Sequence, residues 1–264
     1  MPGRNVRYQV TACNTATAST NKIHDDAVAA SLGFRGGLVP GVDVYAYLCH
    51  LPAQLWGRQW LEHGTMTARF ASPVYDGDVI EIAGEASGAD ALDLALFDPS
   101  GARCAVGRAS LVTEHPPLPS PSDWPSGPAP ADPPRATAET LTGAPFGSIE
   151  ASFVAERAGE YLDDIRETLP LFRSEGFAHP GWLLRFANFV LTANVRMGPW
   201  IHVESSAQLR AAVRDGDRVE TRARVTAVSE RGGHHFVDLD VLQLVDGRPM
   251  SRIAHTAIYQ PRGT

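Results

Sequence analysis

A chain of 264 residues, 44% apolar and 20% charged, holds enough material for one large domain or two ordinary ones. Its formal charge of −7 lacks the basic footprint that non-specific nucleic-acid binding needs, so nucleic acid is excluded as a partner class. No run of about 18 apolar residues is present, so no membrane span is expected, and "MPGRNVRYQV" lacks the apolar stretch of a secretory signal, which makes a cytoplasmic location the default.

In chain order, a first strand is expected over residues 6–13, followed by an irregular polar segment. "HDDAVAASLG" (24–33) reads as a short helix ended by Gly33, with acids in the first turn where the helix dipole favours them. Pro40-Gly41 then opens a long apolar helix containing Pro52, where a kink or restart is expected because proline gives up an N–H. Several strands follow, joined at turn signals such as Asp76-Gly77 and Ser100-Gly101. Residues 116–134, "PPLPSPSDWPSGPAPADPP", carry nine of the 20 prolines and cannot sustain a hydrogen-bonded ladder. Residues 116–145 therefore read as an extended, semi-rigid linker between a domain over 1–115 and another over 146–264.

The second stretch repeats the first. "GGLVPGVDVYAYL" is echoed by "GFAHPGWLLRFAN", with Pro40-Gly41 matching Pro180-Gly181 at an offset of 140. "ARFASPVYDGDVIEI" is echoed by "AQLRAAVRDGDRVET" at 139, and "GARCAVGRASLV" by "GRPMSRIAHTAI" at 146. Three matches in one order imply an internal duplication. In each half a strand (6–13; 149–155), a Pro-Gly step, a long helix and several strands recur. The helix from Gly181, "GWLLRFANFVLTANV", is apolar nearly all round and is expected to be buried on most faces. An antiparallel sheet wrapped around one buried helix is the hotdog fold. The fold class expected is α+β, a double hotdog.

The stretch "STNKIHDDAVAASLGFRGGLVPGV" then resembles the signature of the MaoC-like, (R)-specific enoyl-CoA hydratase family, in which Asp-x-Asn-Pro-hydrophobic-His precedes a helix-opening glycine. Asn21, Ile23, His24 and Gly41 match, while the signature's Asp is Ser19 and its Pro is Lys22. "TARFASPVYDGDVIEI" is similar to that family's strand after the helix. The resemblance covers most of residues 7–112 and implies hydration of a 2-enoyl thioester, or the reverse dehydration. In that family an Asp and a His share one water, and a backbone N–H near the helix start stabilises the thioester enolate. The chemistry asks for a general base, an acid at the α-carbon and fixed donors at the carbonyl oxygen. A helix N-terminus supplies such donors, and glycine lets the backbone come close.

The resemblance makes His24, Asn21 and Gly41 the catalytic candidates. Because serine cannot act as a carboxylate base, Asp25, Asp26, Asp43, Asp163 and Asp164 are candidate substitutes. Asp25, Asp26 and Asp43 equally fit helix first turns, and Asp163 or Asp164 requires the halves to pack pseudo-symmetrically. Ser19, Arg35, Tyr45 and His179 are candidate substrate contacts, with a turn histidine as the plainer account of His179. Asn21 is as readily an N-cap, and His24 a structural histidine at a helix start. Arg185 and Asn188 need partners on an apolar helix, and Arg185 is expected to pair with Asp163 or Asp164. His234-His235 sit in a turn with no third ligand at metal spacing, and Cys13, Cys49 and Cys104 form no CxxC pair. No metal and no cofactor are expected. A thioesterase using Asp43, a lyase of specialised metabolism and a non-catalytic acyl-thioester binder remain open alternatives. The partner implied is acyl-CoA or an acyl-carrier-protein thioester, and edge pairing makes a homodimer the expected assembly.

Overall fold

The computed structural model describes residues 5–143 and 145–263. Strands β1 (Asn5–Thr11), β2 (Gly64–Phe70), β3 (Val79–Ala86), β4 (Ala91–Phe97) and β5 (Arg103–Leu111) belong to the first half. The second half supplies β6 (Ile149–Ser152), β7 (Ile201–Leu209), β8 (Arg218–Arg231), β9 (His234–Val245) and β10 (Arg248–Gln260). All ten join one antiparallel sheet in the order β1-β3-β4-β5-β2-β7-β10-β9-β8-β6. From either edge inward the path is the same, first-second-third strand order 1-3-4-5-2 against 6-8-9-10-7. The halves meet at β2 and β7, where Thr67 pairs with Ser206. These two residues are one position of the repeat (67 + 139 = 206), so a pseudo-twofold axis runs through that pair. The chain is a double hotdog.

The helices are α1 (Asp26–Ser31), α2 (Gly41–His63), α3 (Ala138–Gly143), α4 (Ala155–Asp164), α5 (Pro170–Arg173) and α6 (Pro180–Asn194). Helix α2 touches all five strands of its own half as well as β7 and α6. Residues 42–53 of it are buried without interruption, which is why its apolar residues show no single face. Its Leu48 and Leu51, and Met66, Ile80 and Ile82 of the strands around it, are almost fully buried, each contributing on the order of 2 kcal/mol of apolar transfer. The break in α2 comes at Gly57 (φ 54°, ψ −139°) rather than at Pro52. Proline removes only one ladder bond here, whereas the backbone at Gly57 takes a left-handed φ that glycine adopts without strain. Helix α6 is less enclosed than its sequence suggests. Trp182, Phe186 and Phe189 pack edge to face in series along one flank, and Phe189 is left 49% exposed.

The proline-rich segment is extended but is not a free spacer. Trp124 is buried against Leu242 and Leu244, its indole N–H donates to the Asp240 carbonyl at 3.0 Å, and the Arg224 guanidinium lies 4.6 Å over the ring. Leu118 of the same segment packs on this cluster. No helix among the described residues is long and apolar enough to cross a membrane.

Candidate functional site

The segment before α1 is built around Asn21. Its Oδ1 accepts from the Ile23 amide at 3.3 Å, capping a 3-10 turn over Lys22–His24. The Asn21 side-chain carboxamide also exchanges two hydrogen bonds with the backbone of Trp200, accepting from its N–H at 3.1 Å and donating to its carbonyl at 3.0 Å. Asn21 thus fastens the signature segment of the first half to the entrance of β7 in the second. Ser19 Oγ accepts from the Asn21 amide at 3.1 Å, and the exposed Lys22 turns its Nζ back to the Ser19 carbonyl.

His24 lies on the turn that Asn21 caps. Its Nδ1 is 2.7 Å from the Leu38 carbonyl, a bond only an Nδ1–H can make, which assigns the lone pair to Nε2. Burial lowers the His24 pKa from its ordinary 6.5, opposed by the Leu38 hydrogen bond and by the Asp43 charge. The imidazole is therefore neutral at pH 7, with its lone pair on Nε2. That nitrogen accepts a long hydrogen bond from Asn21 Nδ2 at 3.4 Å.

Two cavities meet at this histidine. The first, about 240 Å³, is lined by Ile23, Phe34, Leu38, Val44, Phe70 and Val74 of one half and by Ile201, Val203 and Ile258 of the other. The second, about 400 Å³, is more polar, with Thr15, Ser19, Thr20, Arg185 and Thr192 in its wall. Asn21, His24, Pro40, Asn188 and Trp200 border both. Asn188 Oδ1 is buried at this junction with no partner among the described residues. Gly41 lines the apolar cavity as the first residue of α2. Its amide is among the first-turn donors that no intrahelical carbonyl satisfies, at the positive end of the helix. A Cβ on Gly41 would stand 2.8 Å from His202 Nδ1, so the imidazole of His202 packs where only glycine leaves room.

The carboxylates divide differently from expectation. Asp25 caps α1 through the Ala27 and Val28 amides, and Asp26 accepts from the Gly37 amide at 2.7 Å. Asp163 is exposed and pairs with Arg173 at 2.6 Å, and Asp164 is exposed as well. Asp43 is fully buried and accepts from Thr15 Oγ1 at 2.6 Å and Arg185 Nη2 at 3.0 Å. Arg185 is therefore the partner of Asp43 rather than of Asp163 or Asp164, and its guanidinium also lies 4.2 Å over the Tyr161 ring. Burial pushes the Asp43 carboxyl up, while Arg185, Thr15 and the His24 charge pull it back. No carboxylate among the described residues is within hydrogen-bond reach of His24 Nε2.

Three expected substrate contacts lie elsewhere. Arg35 turns outward to Asp78, at 2.7 and 2.8 Å, and stacks over Tyr75. Tyr45 is a core residue of α2, 1% exposed, with its phenol pushed up by burial beside Cys49. His179 caps α6 through the Gly181 amide at 3.0 Å and faces Glu167 at 3.6 Å. Conversely, His202 and Trp200 were not singled out from the sequence. Both lie in "PWIHVESS", where strand alternation would have turned His202 inward. His234 and His235 instead begin β9 beside an exposed turn.

No protein-family model and no curated protein matches this sequence. Solved structures do match over nearly the whole chain. A conserved Mycobacterium tuberculosis protein with a double hotdog fold superposes with a TM-score of 0.61 at 15% identity, covering 98% of this chain and 96% of its own. A Chloroflexus aurantiacus protein named as a MaoC domain dehydratase gives 0.60 at 13% identity, over 99% and 96%. A Lactobacillus plantarum protein named as an oleoyl thioesterase gives 0.53 at 13%, over 99% and 98%. At these identities the likeness establishes the double hotdog fold. The chemistry has to be argued from the side chains.

Proposed function

We propose that this chain acts on acyl groups carried as thioesters of CoA or an acyl-carrier protein, hydrating a 2-enoyl thioester or dehydrating the 3-hydroxyacyl form. The observation that supports this reading is the place of His24: an apolar slot on one side, a polar mouth on the other, and a helix N-terminus at the boundary. The acyl chain occupies the slot, the carrier arm leaves through the mouth, and the thioester carbonyl lies by the Gly41 amide. His24 Nε2 takes a proton from water as the oxygen adds to the β-carbon, and the electron pair moves onto the carbonyl oxygen as an enolate. The same proton then passes from His24 to the α-carbon, so one residue serves as base and acid. Asn188 Oδ1 accepts the other hydrogen of that water. Asp43 holds Arg185 and Thr15 with both oxygens, so it contributes charge near His24 rather than direct proton transfer.

A purified protein assayed with 2-enoyl-CoA thioesters over a range of chain lengths tests this. His24→Ala is expected to lose turnover by about 100-fold or more while still binding the thioester. Absence of turnover by the unaltered protein with every chain length would overturn the hydratase reading. In that case the second reading takes over, an acyl-thioester binder without chemistry. It is favoured by one observation, Ser19 at the signature's acid position with no other carboxylate among the described residues at His24.

A further inference from the structure

We propose that His202, contributed by the second half of the chain, is a neutral hydrogen-bond donor to the thioester carbonyl, acting beside the Gly41 amide at the start of α2. The assignment rests on the thioester reading above but not on which reaction follows.

His202 lies on β7 and lines the apolar cavity that His24 and Gly41 also line. Its residue is 6% exposed. Nε2 is 2.8 Å from Ser205 Oγ, and the same oxygen is 3.0 Å from Nδ1 of His255 on β10. That leaves two buried nitrogens unpartnered, His202 Nδ1, which packs against Gly41, and His255 Nε2. Phe70 packs edge to face on the His202 ring at 4.8 Å and fixes its plane.

The chain His202–Ser205–His255 contains one hydroxyl hydrogen between two ring nitrogens, and with that hydrogen bonded to one of the rings it has two neutral arrangements. In one, His255 Nδ1–H donates to Ser205, Ser205 donates to His202 Nε2, and His202 carries its hydrogen on Nδ1. In the other every hydrogen bond reverses, His202 Nδ1 is bare, and His255 holds an N–H at Nε2 with no acceptor. Each arrangement leaves one buried N–H without an acceptor, the costlier kind of orphan. Only the first puts that N–H on His202, which lines the cavity, so a carbonyl oxygen bound there selects it.

Burial keeps both rings uncharged, lowering His202 well below 6.5 and His255 to about 3. An uncharged imidazole is still an effective donor to a carbonyl on which charge develops. Gly41 completes the geometry, because a Cβ there would collide with the same Nδ1. Gly41 of one half and the His202 imidazole of the other thus adjoin at one wall of the cavity. No proton is transferred in this role, so nothing further is needed to balance the step.

The test uses the full chain labelled with nitrogen-15 in histidine, studied by NMR at neutral pH with butyryl-CoA, which binds as a thioester but cannot be hydrated. The His202 signals are those lost in His202→Phe. In the bound protein they are expected to show the Nδ1–H tautomer with its proton moved downfield. The carbon-13 carbonyl signal of bound butyryl-CoA is expected downfield in the unaltered protein and less so in His202→Phe. Should that variant fail to fold, Ser205→Ala, which keeps the ring and removes its tautomer lock, is expected to reduce the same carbonyl shift. Where turnover is measurable, loss of one such donor lowers kcat by about 100-fold. Binding of butyryl-CoA with His202 in the Nε2–H form, or with its signals unmoved, overturns the assignment and leaves the thioester reading standing. Failure of butyryl-CoA to bind at all overturns both.

Discussion

The two Pro-Gly steps of this chain occupy the same position of the repeat and end in opposite environments. At the first, Gly41 opens on a cavity and the side chain against it is His202. At the second, a Cβ on Gly181 would meet Tyr161 Oη at 2.5 Å and the Ala46 methyl at 2.6 Å, so helix meets helix with no space for a ligand. The equivalent of the pocket is filled by a polar cluster. Glu167, 2% exposed, accepts from His50 Nδ1 at 3.0 Å and from the Thr168 and Leu169 amides at 2.7 and 2.8 Å, while His179 stands 3.6 Å away. Tyr8 stacks on His50 at 3.7 Å. Each helix start is finished by the other half: Trp200, Ile201 and His202 come to the first, His50, Tyr8 and Ala46 to the second. A duplication supplies two equivalent backbones, and side chains reaching across the pseudo-twofold decide which one stays open.

The comparison breaks most visibly at Glu167. Glu167→Ala leaves buried histidines and two amides without their acceptor, and is expected to cost about 3–5 kcal/mol in urea denaturation. Turnover per folded molecule should persist, since the cluster borders neither cavity; a small stability loss would show that the closed half is not anchored there. The two glycines sharpen the contrast at the next level. Gly181→Ala should destabilise by about 1–3 kcal/mol through overpacking, whereas Gly41→Ala should chiefly displace His202 and weaken acyl-thioester binding, read by calorimetry. Equal effects on stability and binding in both variants would erase the distinction.

Acid separates the two helix starts as well. Burial alone would raise the Glu167 carboxyl, but the nearby His179 and the hydrogen-bonded His50 outweigh it and hold it below its ordinary 4.5. A depressed carboxylate contributes stability above its unfolded pKa and loses it as pH falls, so this limb begins below about 4.5. His202 and His255 refuse protons that the unfolded chain takes up, so their limb begins earlier, as pH falls through 6.5, and for His255 it ends at about 3. Urea midpoints should therefore start to fall near pH 6.5 and fall more steeply below about 4.5, and Glu167→Gln should remove only the added steepness. The smallest effect is expected for Arg35→Ala, which should leave turnover and stability where they were, because its ion pair with Asp78 is a surface contact outside both cavities.

The sequence by itself determined the duplication, the order of elements in each half and the double hotdog, because repeats, Pro-Gly steps and Asp-Gly turns are local chemical signals. It also marked Asn21, His24 and Gly41, which lie together at one helix start. What it did not determine was which acidic and basic groups face each other. Asp25 and Asp26 went to amides of their own turn and loop, and Asp43 to Arg185, because a short-range hydrogen bond or a buried cation satisfies a carboxylate before a distant histidine can. His202 was invisible as a functional residue, since its meaning depends on Gly41, 161 positions away (202 − 41), across a join between halves. The openness of one Pro-Gly step and the closure of the other were likewise decided in three dimensions, by the volume of side chains that only packing brings together.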